Sequence, residues 1–152
     1  MILSLATPEA TADFGRRLGR NLFAGAVIGL IGGLGAGKTL LTRAIADGLE
    51  VADLGVVSSP TFVLLQEYQG RLPLYHFDVY RLKSPAAFLD LGAAEFLEGD
   101  GVCVVEWADL VRAYLPEDRL EISLRATGDE SREALLIATG SRHARLLTSA
   151  LV

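Results

Sequence analysis

The sequence has few of the residues that build disulfide frameworks, thiol metal sites or basic surfaces. Its 152 residues include one cysteine and two histidines, and 14 lysines and arginines stand against 19 aspartates and glutamates, for a formal net charge of −5. A single cysteine excludes an internal disulfide, and Cys103 lies within an apolar run, as is typical of a small buried hydrophobe. Because affinity for a nucleic-acid backbone is mostly electrostatic, the acidic charge argues against direct strong nucleic-acid binding.

A long hydrophobic run is also missing. The stretch 22–37 follows a basic segment and resembles a secretion signal, but acidic residues precede it and it carries many glycines. It is shorter than the roughly 20 apolar residues that a membrane helix needs. A composition of 51% hydrophobic and 22% charged residues is typical of a globular protein. We therefore expect one domain over residues 1–152, located in the cytoplasm and not in a membrane.

The most informative segment that is present is residues 32–39, which match the phosphate-loop pattern G-x-x-x-x-G-K-[ST]. The apolar residues 26–31 ahead of it predict a buried strand. Residues 40–49 behind it predict a helix, because Leu41, Ile45 and Leu49 recur at four-residue spacing. A strand, a glycine loop and a helix in this order are the context in which the pattern binds phosphate.

The chemistry of this loop predicts binding of a nucleoside triphosphate with Mg²⁺. Backbone N–H groups and the helix N-terminus favour phosphate oxygens, Lys38 reaches the β- and γ-phosphates, and Thr39 places its hydroxyl on the metal. The predicted nucleotide contacts are Leu34, Gly35, Ala36, Gly37, Lys38 and Thr39.

Two acidic residues are candidates for holding the metal from the opposite side. Asp78 lies in a strand pattern whose period of two places His76, Asp78 and Tyr80 on one face, and apolar packing does not explain that face. Glu106 directly follows the apolar run 102–105. Mg²⁺ prefers hard carboxylate oxygens, so either acid can hold the ion or orient water, and the pattern leaves both assignments open.

The other segments alternate between helix and strand patterns. Thr7 and Pro8 predict the start of a helix that ends by Gly25, and Pro85 predicts a helix that Gly92 ends. Predicted strands cover residues 62–68, 72–78, 102–105, 120–124 and 134–138, and a last helix begins near residue 142. This order predicts an α/β fold, a three-layer sandwich of P-loop NTPase type with a mixed, mainly parallel central sheet and antiparallel edge strands.

Four motifs together resemble the TsaE (YjeE) family. They stand at residues 34–39 (LGAGKT), 59–62 (SPTF), 76–82 (HFDVYRL) and 106–107 (EW), and the similarity extends over about residues 4–138. The resemblance implies an ATPase that hydrolyses Mg-ATP slowly in bacterial tRNA threonylcarbamoyladenosine synthesis. It implies as partner the TsaD–TsaB complex, in which TsaD carries out the transfer reaction.

The resemblance also implies roles for individual residues. Thr39 and Glu106 would be Mg²⁺ ligands, with Asp78 close to the metal and the γ-phosphate, and Thr61 would sense the γ-phosphate. The catalytic residues that the resemblance implies are therefore Lys38, Asp78, Glu106 and Thr61. Further positions implied to lie toward the nucleotide are Pro8, Trp107, Asp109, Ser131 and Arg132.

The sequence departs from the family at two positions that matter. A second hydroxyl commonly follows the loop threonine, and this chain has Leu40. A basic residue is frequent after Glu-Trp, where this chain has Ala108, Asp109 and Leu110, so Arg81 is the better candidate for a transition-state cation.

Three alternative functions differ in what they need. A GTPase needs an Asn/Thr-Lys-x-Asp motif, and neither Lys38 nor Lys83 stands in one. A small-molecule kinase needs an arginine-bearing lid, for which Arg112, Arg119 and Arg125 are the candidates. A non-catalytic module would bind ATP as a switch.

Overall fold

A seven-stranded mixed sheet organises the computed structural model, which describes residues 1–57 and 64–152. The strands are β1 (Ile2–Leu5), β2 (Val27–Ile31), β3 (Leu65–Tyr68), β4 (Leu74–Asp78), β5 (Val102–Glu106), β6 (Leu120–Ala126) and β7 (Arg132–Ala138). The α-helices are α1 (Pro8–Asn21), α2 (Lys38–Gly48), α3 (Ala87–Asp90), α4 (Ala93–Leu97) and α5 (Ser141–Leu151). Short 3₁₀ segments cover Leu54–Val56 and Ala108–Tyr114.

The strand order is β1-β7-β6-β2-β5-β4-β3. Strands β6, β2, β5 and β4 are parallel, whereas β1, β7 and β3 join at the two sides through antiparallel pairs. The predicted mixed sheet, parallel at its centre and antiparallel at its edges, is therefore confirmed. Parallel strands bring their carboxyl ends to one edge, where ligands of open α/β sheets bind. The phosphate loop follows β2 at that edge.

Helices cover both faces of the sheet, as a three-layer sandwich requires. The core on one face includes Phe14 and Leu18 of α1, Leu41 of α2 and Leu146 of α5. The core on the other face includes residues of β4 and β5, of α3 and α4, and of the second 3₁₀ segment. No helix among the described residues has both the length and the apolar character needed to cross a membrane.

The first helix begins where its sequence predicts. The Thr7 side chain accepts a hydrogen bond from the Ala10 N–H at 3.1 Å, and Pro8 occupies the first turn, where its missing N–H costs nothing. Phe14 and Leu18 are fully buried on the inner face. The helix ends at Asn21, four residues before Gly25.

Three elements differ from the sequence-based expectation. The short helix predicted between Pro85 and Gly92 is present as α3, but helix α4, which follows the left-handed Gly92 (φ 74°), was not predicted. Strand β1 pairs with β7, an association between chain segments about 130 residues apart that local patterns do not reveal. The 3₁₀ segment Ala108–Tyr114 was also not predicted.

His143 is a buried histidine with a structural role. Its Nε2 accepts a hydrogen bond from the Val27 N–H at 3.0 Å, and its Nδ1 lies 2.7 Å from Oδ1 of Asp118. Burial lowers the pKa of His143, an effect that Asp118 partly opposes. The neutral ring therefore ties α5 to the first residue of β2, the strand that leads into the phosphate loop.

Glycines allow α1 and α2 to approach each other closely behind that loop. A Cβ on Gly48 would lie 2.3 Å from the Arg16 carbonyl oxygen and 2.8 Å from the Gly19 Cα. Both are backbone atoms, so a Cβ at position 48 could be accommodated only if the two helices moved apart.

Gly48→Ala is therefore expected to destabilise the protein. Separating the two helices should cost about 1–3 kcal/mol, more than the roughly 1 kcal/mol that alanine gains in helix propensity. Urea unfolding followed by circular dichroism measures the change. Gly33→Ala is the matched control, because a Cβ there meets no heavy atom within 4 Å. Equal midpoints for Gly48→Ala and the parent would contradict the proposed close packing.

Candidate active site

A cavity of about 580 Å³ opens at the carboxyl ends of β2, β4 and β5. It contains eight of the residues predicted for the site: Leu34, Gly35, Gly37, Lys38, Thr39, Asp78, Glu106 and Trp107. The sequence analysis did not place Leu40 or Leu64 among its contacts, and both also line the cavity. Residues separated by up to 73 positions in the chain, Leu34 and Trp107, thus share one cavity.

The loop has the backbone geometry of an anion site. Gly35 and Gly37 have φ values of 76° and 103°, which residues with a Cβ rarely adopt. Gly37 precedes α2, whose first N–H groups have no partner within the helix. Together with the helix dipole, these groups favour an anion at the start of α2.

Lys38 places a buried cation beside this loop. Its Nζ donates to the carbonyl oxygens of Gly32 and Gly33, both at 2.7 Å, and lies 4.3 Å from the centre of the Trp107 ring. Burial lowers the pKa of Lys38, whereas the neighbouring carboxylates of Glu106, Asp78 and Asp109 raise it. The ammonium group is thus held between the loop and the acidic side of the cavity.

Asp78 and Glu106 end adjacent parallel strands and are direct partners in the β4–β5 register. Both residues are largely buried: Asp78 is 8% exposed and Glu106 is 2% exposed. Oδ1 of Asp78 accepts a hydrogen bond from the Tyr80 N–H at 3.1 Å, and Oε2 of Glu106 lies 2.5 Å from Nε2 of His76. The His76 contact was not predicted, although the polar face of its strand had indicated a role.

The carboxylate and hydroxyl oxygens of this cavity fit a Mg²⁺ ion that also binds phosphate better than a metal held by protein side chains alone. The described residues include no cluster of three or more His, Cys, Asp or Glu side chains arranged to hold a metal. Two carboxylates and the Thr39 hydroxyl line the same cavity as the phosphate loop. Mg²⁺ commonly takes one or two carboxylates and completes its coordination with phosphate oxygens and water.

Trp107 forms one wall of the cavity. Its φ of 62° is left-handed, a conformation that costs about 1–2 kcal/mol for a residue with a Cβ. Its ring lies 4.5 Å from that of Tyr80, centre to centre, and beneath the Lys38 ammonium group. Arg81, the candidate transition-state cation, also lines the cavity.

A smaller cavity of about 80 Å³ also borders Gly37 and includes Pro8, Thr11 and Arg132 in its lining. Arg132 donates from Nε to the Ala36 carbonyl oxygen at 3.0 Å and from Nη2 to that of Gly35 at 3.1 Å. Pro8 and Arg132 therefore lie beside the phosphate loop.

The other predicted site residues that the structure describes line neither cavity. Ala36 is buried and donates its N–H to the Gly33 carbonyl oxygen, and neither Ser131 nor Asp109 lines either cavity. Ser131 accepts a hydrogen bond from the Thr127 hydroxyl at 2.9 Å. Thr61 and its Ser-Pro-Thr motif lie outside the described residues.

Comparison with known proteins places these features in a family. A family model described as "Threonylcarbamoyl adenosine biosynthesis protein TsaE" matches residues 5–134. The tRNA threonylcarbamoyladenosine biosynthesis protein TsaE of Bacillus subtilis is 43% identical over 140 residues, covering 91% of this chain and 86% of that protein. The protein of the same name from Treponema pallidum is 49% identical over 125 residues, covering 82% and 91%. The crystal structure of Bacillus subtilis YdiB superposes with a TM-score of 0.82 at 37% identity, covering 99% of this chain and 93% of that one.

Proposed function

The chain belongs to the TsaE family, whose role is in threonylcarbamoyladenosine biosynthesis, and on that premise we propose that it binds Mg-ATP and hydrolyses it slowly. The observation that carries the proposal is the meeting of Lys38, Asp78 and Glu106 with the phosphate loop in one cavity. A cation, two carboxylates and unpaired helix N–H groups are the components that phosphoryl transfer needs for positioning and charge stabilisation.

The phosphate chain of ATP is assigned to the larger cavity. The backbone of residues 34–39 would bind the phosphate oxygens, and the Lys38 ammonium would contact the β- and γ-phosphates. The nucleoside is assigned to the surface beside Gly37, over the smaller cavity that Pro8 and Arg132 border. Ser131 would act there through the hairpin that carries Arg132, and Asp109 would act on the site through its charge on Lys38.

Thr39 and Glu106 would hold Mg²⁺, with Asp78 close by. When bound, the ion neutralises charge on the phosphate oxygens. Whichever of Asp78 and Glu106 does not contact the ion would orient the attacking water. Thr61 would sense the γ-phosphate. Trp107 would close the cavity beside Lys38 and limit access of bulk water.

Slow turnover follows from the groups that the site offers. Its carboxylates are weak bases, and the cationic side chains that line the larger cavity are Lys38 and Arg81 among the described residues. A partner that positions Arg81, or adds a cation, would raise the rate, as arginine fingers do in related reactions.

We assign that partner role to the TsaD–TsaB complex, which would carry out the threonylcarbamoyl transfer to tRNA. The net charge of −5 suits a subunit that does not itself hold tRNA strongly. A role in tRNA modification supports the expectation that the protein acts in the cytoplasm.

The arginines considered for a kinase lid are engaged elsewhere. Arg112 and Arg119 pair with Glu121 at 2.9 and 2.6 Å, and Arg125 pairs with Glu133 at 2.7 Å. None of the three lines either cavity. These pairs favour hydrolysis over transfer to a small-molecule acceptor.

Phosphate release from Mg-ATP by the purified protein, with no acceptor added, tests this proposal. Inorganic phosphate should accumulate slowly and in proportion to enzyme. ADP and a phosphorylated metabolite that form only when a metabolite acceptor is added, without inorganic phosphate, would support a kinase instead. Nucleotide binding without release would support the ATP-switched module.

A further inference from the structure

His76 is a fully buried side chain with one hydrogen-bonding contact among the described residues. Its residue is 0% exposed, and its Nε2 lies 2.5 Å from Oε2 of Glu106. Its other nitrogen, Nδ1, is buried and makes no hydrogen bond to any described residue. Because a carboxylate oxygen accepts, Nε2 is the nitrogen that donates its hydrogen to Glu106.

Packing does not account for a histidine at this position. On β4, Leu74 precedes it on the same face, and its register partner on β5 is Val104, both fully buried apolar residues. An apolar side chain would fill this layer without an unpaired buried nitrogen, which costs free energy. The contact with Glu106 is therefore what the histidine adds.

The register explains why the contact reaches Glu106. Glu106 lies opposite Asp78, and Asp78 is two positions beyond His76 on the same strand face. His76 thus approaches Glu106 from the interior of the sheet, while the cavity lies on the side of the phosphate loop. The contact engages Oε2 and leaves Oε1 of Glu106 without a hydrogen bond to any described residue.

We propose that His76 is a positioning residue that fixes the Glu106 carboxylate for Mg²⁺. This inference rests on the proposed function, because it concerns the same Mg-ATP site. A carboxylate held at one oxygen keeps its other oxygen in a single orientation, and such outer contacts typically change metal affinity by about 10- to 100-fold. His76 lines neither cavity, so its effect should appear in the Mg²⁺ requirement and not in metal-free nucleotide binding.

Two variants test the contact. His76→Leu keeps a similar volume and removes the donor, whereas His76→Gln keeps an N–H donor at a position close to Nε2. The readout is the Mg²⁺ concentration that gives half of the metal-dependent fluorescence change of a bound ATP analogue. We expect this concentration to rise about 10- to 100-fold in His76→Leu and to stay within about threefold of the parent in His76→Gln. Analogue binding in EDTA should change less than about twofold in both.

Several outcomes would overturn the inference. One is an unchanged Mg²⁺ requirement in His76→Leu, and another is an equal loss of analogue binding in EDTA, which would indicate a structural role. If His76→Leu does not fold, His76→Asn replaces it, because its shorter amide does not reach Glu106. No binding of the analogue by the parent would overturn the proposed function and this inference with it. Normal parental binding with an unaffected variant would overturn this inference alone.

Discussion

Replacing Lys38 by alanine should lower phosphate release from Mg-ATP by at least about 100-fold, the effect typical of removing one preorganised charged donor from a transition state. Lys38 is the buried cation of the larger cavity, and its ammonium group is oriented by the Gly32 and Gly33 carbonyl oxygens. Alanine leaves the charge that develops on the transferring phosphoryl group without this partner. Phosphate release under saturating Mg-ATP measures the effect.

Lys83→Ala is the matched control. Lys83 is the other lysine of the chain, is exposed and lies outside both cavities. The Lys83→Ala protein should release phosphate at the parental rate. Because Lys38 also holds loop carbonyl groups, thermal unfolding of Lys38→Ala must be compared with the parent. A folded Lys38→Ala protein that retains parental turnover would remove the phosphate loop from the mechanism.

Glu106→Gln should lower phosphate release by about 100- to 1000-fold while nucleotide binding in EDTA stays within about threefold. Glutamine keeps the size of the side chain and an oxygen for the contact with His76, but it removes the charge that would face Mg²⁺. Phosphate release and binding of a fluorescent ATP analogue, measured on the same protein, separate the two effects.

Two comparisons sharpen the Glu106 result. Glu98→Gln, at an exposed position just after α4, makes the same chemical change away from the cavity and should behave as the parent. Asp78→Asn measures the other acid in the β4–β5 register. If Glu106→Gln protein still binds ATP and fully supports tRNA modification with TsaD–TsaB, hydrolysis is incidental and the protein is an ATP-switched module.

Local sequence patterns predicted those parts of the fold that short-range physics determines. The cap at Thr7, the proline at Pro8 and the glycine loop at residues 32–37 act within a few residues, and the structure confirms the elements that they delimit. Strand β1 and helix α4 were missed for different reasons. The strand depends on pairing with β7, and the helix on a left-handed turn at Gly92.

The candidate site likewise has a part that local sequence determines and a part that depends on the fold. The phosphate loop is one continuous segment and could be predicted alone, whereas the meeting of Asp78 and Glu106 depends on strand order and register. His76 and Glu106 are 30 positions apart in the chain. Arg132 lies 96 or more positions from the loop carbonyl groups that it contacts. Periodicity indicated that the face of β4 was polar, but only the fold identifies its partner.

The most direct measurement is the rate of phosphate release from Mg-ATP by the purified protein, alone and with the TsaD–TsaB complex, with Lys38→Ala as the blank. We predict slow release by the protein alone and a clear increase when the complex is added, both absent from the blank. Equal rates with and without the complex, or rapid turnover by the protein alone, would contradict a site that its partner completes.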